Sequence, residues 1–205
     1  AVLGEERLRQ AMAAAIAFYL DDALINGIGA GMPLGIVNGP CKIAVDKETG
    51  QAADSIVYEN IVGMWSRLLP ASQMNAIWIA HPNTVPQLFT LGLTLGTSGA
   101  PVFLPAGGAS GSPYSTLFGR PIVFSEKCQT VGDEGDLILT DPSKYAAGLA
   151  GEVRLESTNA RLWYTDQVSF RCIVRADGEP MLASAVTPKN GSTTLSSVVT
   201  LAERA

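Results

Sequence analysis

His81 is the only histidine in the chain, and Pro82 follows it directly. An imidazole can act as a general base, and a neighbouring Ser would complete a nucleophilic pair. No nucleophile signature accompanies it. The stretch Gly107-Gly108-Ala109-Ser110-Gly111 lacks the Gly-x-Ser-x-Gly spacing of a nucleophile elbow. His81 therefore reads as a structural residue at a strand–helix junction, with a small Ser/His hydrolase as the rival from another class. Cys41, Cys128 and Cys172 lie far apart, with no Cys-x-x-Cys pair. One imidazole and scattered thiols make no metal site, so no metal is expected. The odd count reads as small buried thiols in a reducing compartment.

The glycines suggest cofactor chemistry only in outline. Gly27-Ile28-Gly29-Ala30-Gly31-Met32 is near a dinucleotide fingerprint, but Met32 takes the third glycine position. The segment also follows a predicted helix instead of joining a strand to one. No Walker-type Lys follows any glycine cluster, and no cofactor is expected. Asp21 and Asp22 are adjacent on a helix and point about 100° apart, so they do not converge as an acid/base pair. Arg154, Arg161, Arg171 and Arg175 occupy late strands and read as solvated strand faces in an acidic chain. Catalytic, cofactor-binding and metal-binding residues are thus assigned as none.

The elements around these residues are legible from their periods. Leu8, Met12, Ile16, Tyr19 and Ala23 share one helical face, widened by Ala13, Ala17, Leu20 and Leu24. They predict a long helix closed by Asn26-Gly27. Residues 34–37 and 42–45 read as short strands. Asp54 is positioned to cap a helix carrying Val57, Ile61, Met64, Trp65 and Leu68. Residues 76–80 show no alternation and read as a doubly buried strand, followed by a short helix with Val85, Leu88 and Phe89. Residues 92–112 are rich in Gly, Ser and Thr and read as a mobile loop. Strands follow at 121–125 and 136–140. Alternation continues around Arg154 and Glu156 and along Val168, Phe170, Cys172 and Val174. Asp177-Gly178 reads as a hairpin turn, with 181–186 as its returning strand. The long helix should cover the late strands, making Ile16→Asp cost several kcal/mol. Residues 189–205 read as a loose tail.

The 205 residues are 47% hydrophobic and 16% charged, enough apolar material for a sizeable core. A net charge of -5 gives no general basic surface and argues against sequence-specific nucleic-acid binding. A mean hydropathy of +0.21 points to surface that a partner covers. The longest apolar run, 11–20, is too short for a bilayer, which needs about twenty residues, so no membrane partner is expected. The chain opens without Met, inside a predicted helix, and is expected to be a fragment or a processed product.

Several segments in series resemble the Hong Kong 97-like major capsid proteins of tailed phages and prophages. The first is the helix ending in acidic residues and then Asn26-Gly27-Ile28-Gly29-Ala30-Gly31-Met32-Pro33-Leu34-Gly35-Ile36. It is similar to the family's acidic, then Asn-Gly-x-Gly-x-x-x-Pro-x-Gly-Ile junction, with Ile28 where Asp or Asn is usual. The apolar strand before His81-Pro82-Asn83 follows. Then Leu117-Phe118-Gly119-Arg120-Pro121-Ile122-Val123 is similar to Leu-x-Gly-x-Pro-Val-Val. Leu139-Thr140-Asp141-Pro142-Ser143-Lys144-Tyr145 is similar to Gly-Asp-Phe-Ser-x-Tyr, with Thr140 and Pro142 as departures. The shared order covers about 3–187.

The resemblance implies an α+β fold with a long spine helix. It implies a discontinuous peripheral domain of 1–30 and 150–187, an axial domain of 31–149, and a C-terminal tail of 188–205. The family's N-terminal arm and extended loop lie upstream of the spine helix and are expected to be missing here. The resemblance implies a structural protein, not an enzyme. Its partner would be itself, in hexamers and pentamers of a shell enclosing double-stranded DNA without sequence-specific binding. It would be located in the virion after synthesis in the bacterial cytoplasm. An encapsulin-type nanocompartment is the close alternative. Gln167 stands where some members carry a crosslinking Asn, so no crosslink residue is carried over.

Overall fold

A computed structural model describes residues 2–95, 98–101, 116–151, 154–160, 163–165 and 167–205, without the side chains of 2–5, 92–101 and 163. Helix α1 (Val2–Asn26) opens the chain. Strand β1 (Ile43–Val45), helix α2 (Tyr58–Ser66), strand β2 (Ile77–Ala80) and helix α3 (Val85–Thr90) follow. Then come β3 (Gly92–Leu95), β4 (Ser98–Pro101), β5 (Thr116–Leu117), β6 (Arg120–Phe124) and β7 (Leu137–Thr140). The last elements are β8 (Tyr145–Leu149), β9 (Arg154–Thr158), β10 (Ser169–Ile173), β11 (Ala176–Pro180) and β12 (Val198–Leu201).

Six strands form one mixed sheet in the order β1-β12-β7-β2-β6-β5. Its central strands are buried on both faces, as their unbroken apolar runs require. On one face Trp78, Leu137, Leu139, Val199 and Leu201 pack with Ile61, Met64 and Leu68 of the α2 region and Leu88 of α3. The Trp78 indole N–H donates to the Leu117 carbonyl at 2.9 Å, so the large ring leaves no polar atom unpaired. On the other face Ile79 and Ile138 pack with Ile25, Val37 and Cys128. Alternation along β7 decides the split: Leu137 and Leu139 point one way and Ile138 the other.

Outside this sheet, β8 pairs with β11 and β9 with β10, each antiparallel. The Ala150 N–H donates to the Arg175 carbonyl at 2.8 Å and joins the two pairs into one long ribbon. The hairpin turn expected at Asp177-Gly178 is not there. Both residues lie inside β11, opposite Gly148 and Ala147. A Cβ on Gly178 would stand 2.8 Å from the Tyr145 ring, so this glycine makes room for an aromatic crossing the strand and does not turn the chain. The returning strand expected at 181–186 reduces to a bridge between Val186 and Leu195.

The loose tail is also corrected. β12 lies between β1 and β7, and among the described residues β1 joins the sheet by pairing with β12. The run Val198-Val199-Thr200-Leu201 is apolar enough for a doubly buried strand, but the Ser/Thr-rich approach obscures it. Arg204 anchors it from beyond. Its buried guanidinium pairs with the buried Asp136 carboxylate and donates to the Ser55 carbonyl at 2.8 Å and the Ala202 carbonyl at 3.1 Å. Burial pushes Asp136 above the usual carboxylate range, while Arg204 and the Gly132 and Leu137 N–H groups oppose that shift.

Smaller differences have local causes. Residues 36–38 form a 3₁₀ turn, so of the two early strands only 43–45 exists. α2 starts after Val57, and the Asn60 side chain accepts the Val57 N–H at 3.1 Å in place of an Asp54 cap. Asp54 has φ 50° and its N–H donates to the Arg204 carbonyl at 2.9 Å. Within 92–112, residues 92–95 and 98–101 pair as β3 and β4, as Leu93-Thr94-Leu95 favours. The rest of the expected mobile loop, 96–97 and 102–112, lies outside the described residues.

Candidate assembly surface

At a rise of about 1.5 Å per residue, α1 is about 38 Å long, yet among its described side chains only Ile25 is buried. Met12, Ile16, Leu20, Ala23 and Leu24 are half-buried, and Tyr19 is 72% exposed. The helix is held by its C-terminal end. The Asn26 side-chain amide donates to the Lys127 carbonyl at 2.7 Å, and Lys127 lies over the Phe18 ring. Beyond Asn26 two backbone segments approach closely. The Gly35 N–H donates to the Gly27 carbonyl at 2.8 Å, and the Gly27 N–H to the Ala23 carbonyl at 2.9 Å. A Cβ on Gly35 would overlap the Ile25 carbonyl oxygen and stand 2.5 Å from the Gly27 nitrogen. The Gly-rich junction is therefore a close crossing of main chains and not a phosphate cradle.

The same loop ties down the ribbon. The Leu34 N–H donates to the Gly178 carbonyl at 2.7 Å, and the Tyr145 hydroxyl donates to the Leu34 carbonyl at 2.9 Å. Helix end, loop and ribbon base are thus hydrogen-bonded into one corner. Between α1 and the ribbon runs an apolar groove of about 330 Å³. Ile16, Leu20 and Ala23 line one wall, Cys172 and Val174 the other, and Met32 the end. The helix does face the late strands, but across an open groove and not in a closed core. Met32 at the groove's end and Leu149, which lines a further hollow with Leu20 and Leu24, are exposed as well, as are Ile28, Val168 and Met181.

The residues considered for chemistry stay apart. The His81 Nδ1 accepts the Asn83 N–H at 3.1 Å, which makes the imidazole a cap for the turn ahead of α3. Among the described residues no group of His, Cys, Asp or Glu could hold a metal, and no helix is long and apolar enough to cross a membrane. Cys41 and Cys128 are buried, and Cys172 is half-buried in the groove wall. Burial and the nearby Asp136 push the Cys128 thiol up to about 12. Asp22 accepts from the Asn26 side chain at 2.8 Å and Asp21 is exposed, so the two carboxylates share no site. Arg171 pairs with Glu156 at 2.6 Å across the ribbon.

The sequence profile of the phage capsid family matches residues 2–190. The chain belongs to the phage capsid family. A search of the curated proteins finds no match. Among solved structures, the chain is similar to the capsid of an empty GTA particle and to that of a native GTA particle. Each matches with a TM-score of 0.72 and 17% identity, over 98% of this chain and 66% of that one. At that identity the likeness shows the fold, the α+β Hong Kong 97-like architecture that the sequence resembles. The chain spans about two thirds of the length of these capsid chains. The family and its fold are structural and not enzymatic.

What the sequence did not reveal is the corner that joins α1, the glycine-rich loop and the ribbon. The Gly178–Tyr145 contact joins residues 33 apart, and the Leu34 bonds join residues more than 100 apart. The available signal was a glycine opposite an aromatic on a paired strand, which needs the register first.

Proposed function

We propose that this chain is a phage or prophage major capsid subunit that self-associates into the pentamers and hexamers of an icosahedral shell enclosing double-stranded DNA. The observation that supports it best is the uncovered apolar side of α1 and the ribbon, which are joined by hydrogen bonds through the Leu34 loop in a capsid-family fold. In this reading, 1–30 with the late strands form the peripheral part. Residues 31–149 form the axial part, to which β12 is added in place of a tail, while β8 goes with the late strands. The acidic balance suits DNA that is held by enclosure and not by attraction to the coat. Synthesis in the bacterial cytoplasm precedes assembly.

The test is to purify sedimentable particles from cells carrying the complete phage or prophage locus and to analyse their contents. Nuclease-protected double-stranded DNA inside particles built from this chain is the expected result. Particles filled with a protein cargo and free of DNA would overturn the DNA-enclosing role.

A further inference from the structure

Along one face of the ribbon, charges of opposite sign are segregated. Asp177 and Glu179 alternate onto one side of β11, and Arg175, just before the strand, shares a hollow with Asp177. Arg154 joins them because it is paired directly opposite Ile173 and lines one hollow with Ile173 and Arg175. Three shallow hollows follow one another on this face. Arg154, Ile173 and Arg175 line the first, of about 130 Å³. Arg175, Leu149 and Asp177 line the second, of about 310 Å³. Asp177 and Glu179 line the third, of about 420 Å³, over a floor of Ala146, Ala147 and Gly148.

Farther out Arg171 is already paired with Glu156. Arg154, Arg175, Asp177 and Glu179 are all exposed and have no ion-pair partner among the described residues. The negative end is felt nearby: burial first, then Asp177 and Glu179, push the Tyr145 hydroxyl above its ordinary range.

We propose that this face is a self-complementary contact that binds the same face of a second copy of the chain, Arg154 and Arg175 of each against Asp177 and Glu179 of the other. The inference rests on the shell-subunit reading above and names the surface it uses.

The register carries the argument. Set two ribbons face to face, antiparallel, about a two-fold axis at Ala176. Position 175 then meets 177 of the partner copy, and position 173 meets 179. Arg154 sits beside 173, so both cations meet carboxylates in a single register, twice over by symmetry. Such an isologous contact needs one surface that complements itself. Packed sheet faces lie about 10 Å apart, a gap that an Arg and a carboxylate side chain bridge together. Ala146 and Gly148, paired opposite Glu179 and Asp177, are small and leave room for those side chains. A DNA backbone is the poorer occupant, because Asp177 and Glu179 adjoin the cations and would repel phosphate.

The experiment uses the full chain in sedimentation velocity, at low and high salt, with melting curves to confirm folding. Two variants are made, Arg154→Glu/Arg175→Glu and Asp177→Lys/Glu179→Lys. Each alone should associate at least about tenfold more weakly than wild type. Their equimolar mixture should regain wild-type association, because opposite signs then face each other on both sides of the axis, reversed on one and native on the other. Unchanged association in both variants, or a mixture that stays dissociated, overturns the proposed face and leaves the shell reading standing. A wild type that is monomeric at every concentration overturns both. Altered duplex-DNA binding with unaltered association assigns the arginines to DNA and overturns the self-contact.

Discussion

Gly35→Ala tests the corner from which α1 and the ribbon project. The added methyl would overlap the Ile25 carbonyl oxygen and stand 2.5 Å from the Gly27 nitrogen. Neither atom is free to retreat. The Ile25 side chain is buried with Val37, Ile79, Cys128 and Ile138, and the Gly27 N–H is bonded to Ala23 at 2.9 Å. Relief requires opening the Gly35–Gly27 hydrogen bond of 2.8 Å, which costs about 1 kcal/mol. Residual overpacking adds about 1–3 kcal/mol. The sum, about 2–4 kcal/mol, lowers the melting temperature of a domain this size by roughly 10 °C. Gly31→Ala is the control. Gly31 has φ 74° and no atom within 4 Å of its added Cβ, so only backbone strain of about 1–2 kcal/mol applies. Thermal and urea unfolding of both variants supplies the comparison. If Gly35→Ala is no less stable than Gly31→Ala, the close-crossing argument is wrong.

Arg204→Met leaves the Asp136 carboxylate buried without its partner and is expected to cost about 3–5 kcal/mol in urea unfolding; the double change Arg204→Met/Asp136→Leu should recover most of that loss. In native protein, Ellman titration should find Cys172 fast, with Cys41 and Cys128 silent until denaturant is added, because the Cys128 thiol stays protonated up to about 12. Tyr145→Phe removes the bond to the Leu34 carbonyl and should lower stability by about 1 kcal/mol. Ile16→Asp, expected from the sequence to cost several kcal/mol, should cost only about 1 kcal/mol in the isolated chain, because the groove is open to water. Its larger effect should appear as lost association in sedimentation velocity.

Periodicity located the elements that bury a continuous stripe. Residues 76–80, the α2 stripe and α3 are where their apolar spacing puts them, because each packs on a sheet face. It misjudged two segments for the same physical reason. Asp177-Gly178 carries turn residues, and 198–201 follows a Ser/Thr-rich stretch, yet both are strands because distant partners pair with them. Local propensity cannot report a partner that lies 30 or 60 residues away. The junction from Asn26 to Ile36 was legible as a resemblance, and its mechanism was not, since a main-chain crossing at Gly27 and Gly35 has no side-chain signature. The ribbon charges were visible as residue types. Their segregation onto one face became readable only once Arg154 was paired with Ile173 and Arg175 was seen to share hollows with both Arg154 and Asp177.

The most direct test of the central claim is cryo-electron microscopy of the sedimentable fraction from cells expressing the complete gene that encodes this chain. Closed shells are expected, with five- and six-fold clusters into whose density the six-stranded sheet, α1 and the ribbon fit without rearrangement, and with the apolar side of α1 covered by a neighbour. A protein that sediments only as a monomer, or shells whose subunits leave α1 and the ribbon bare, would contradict the account.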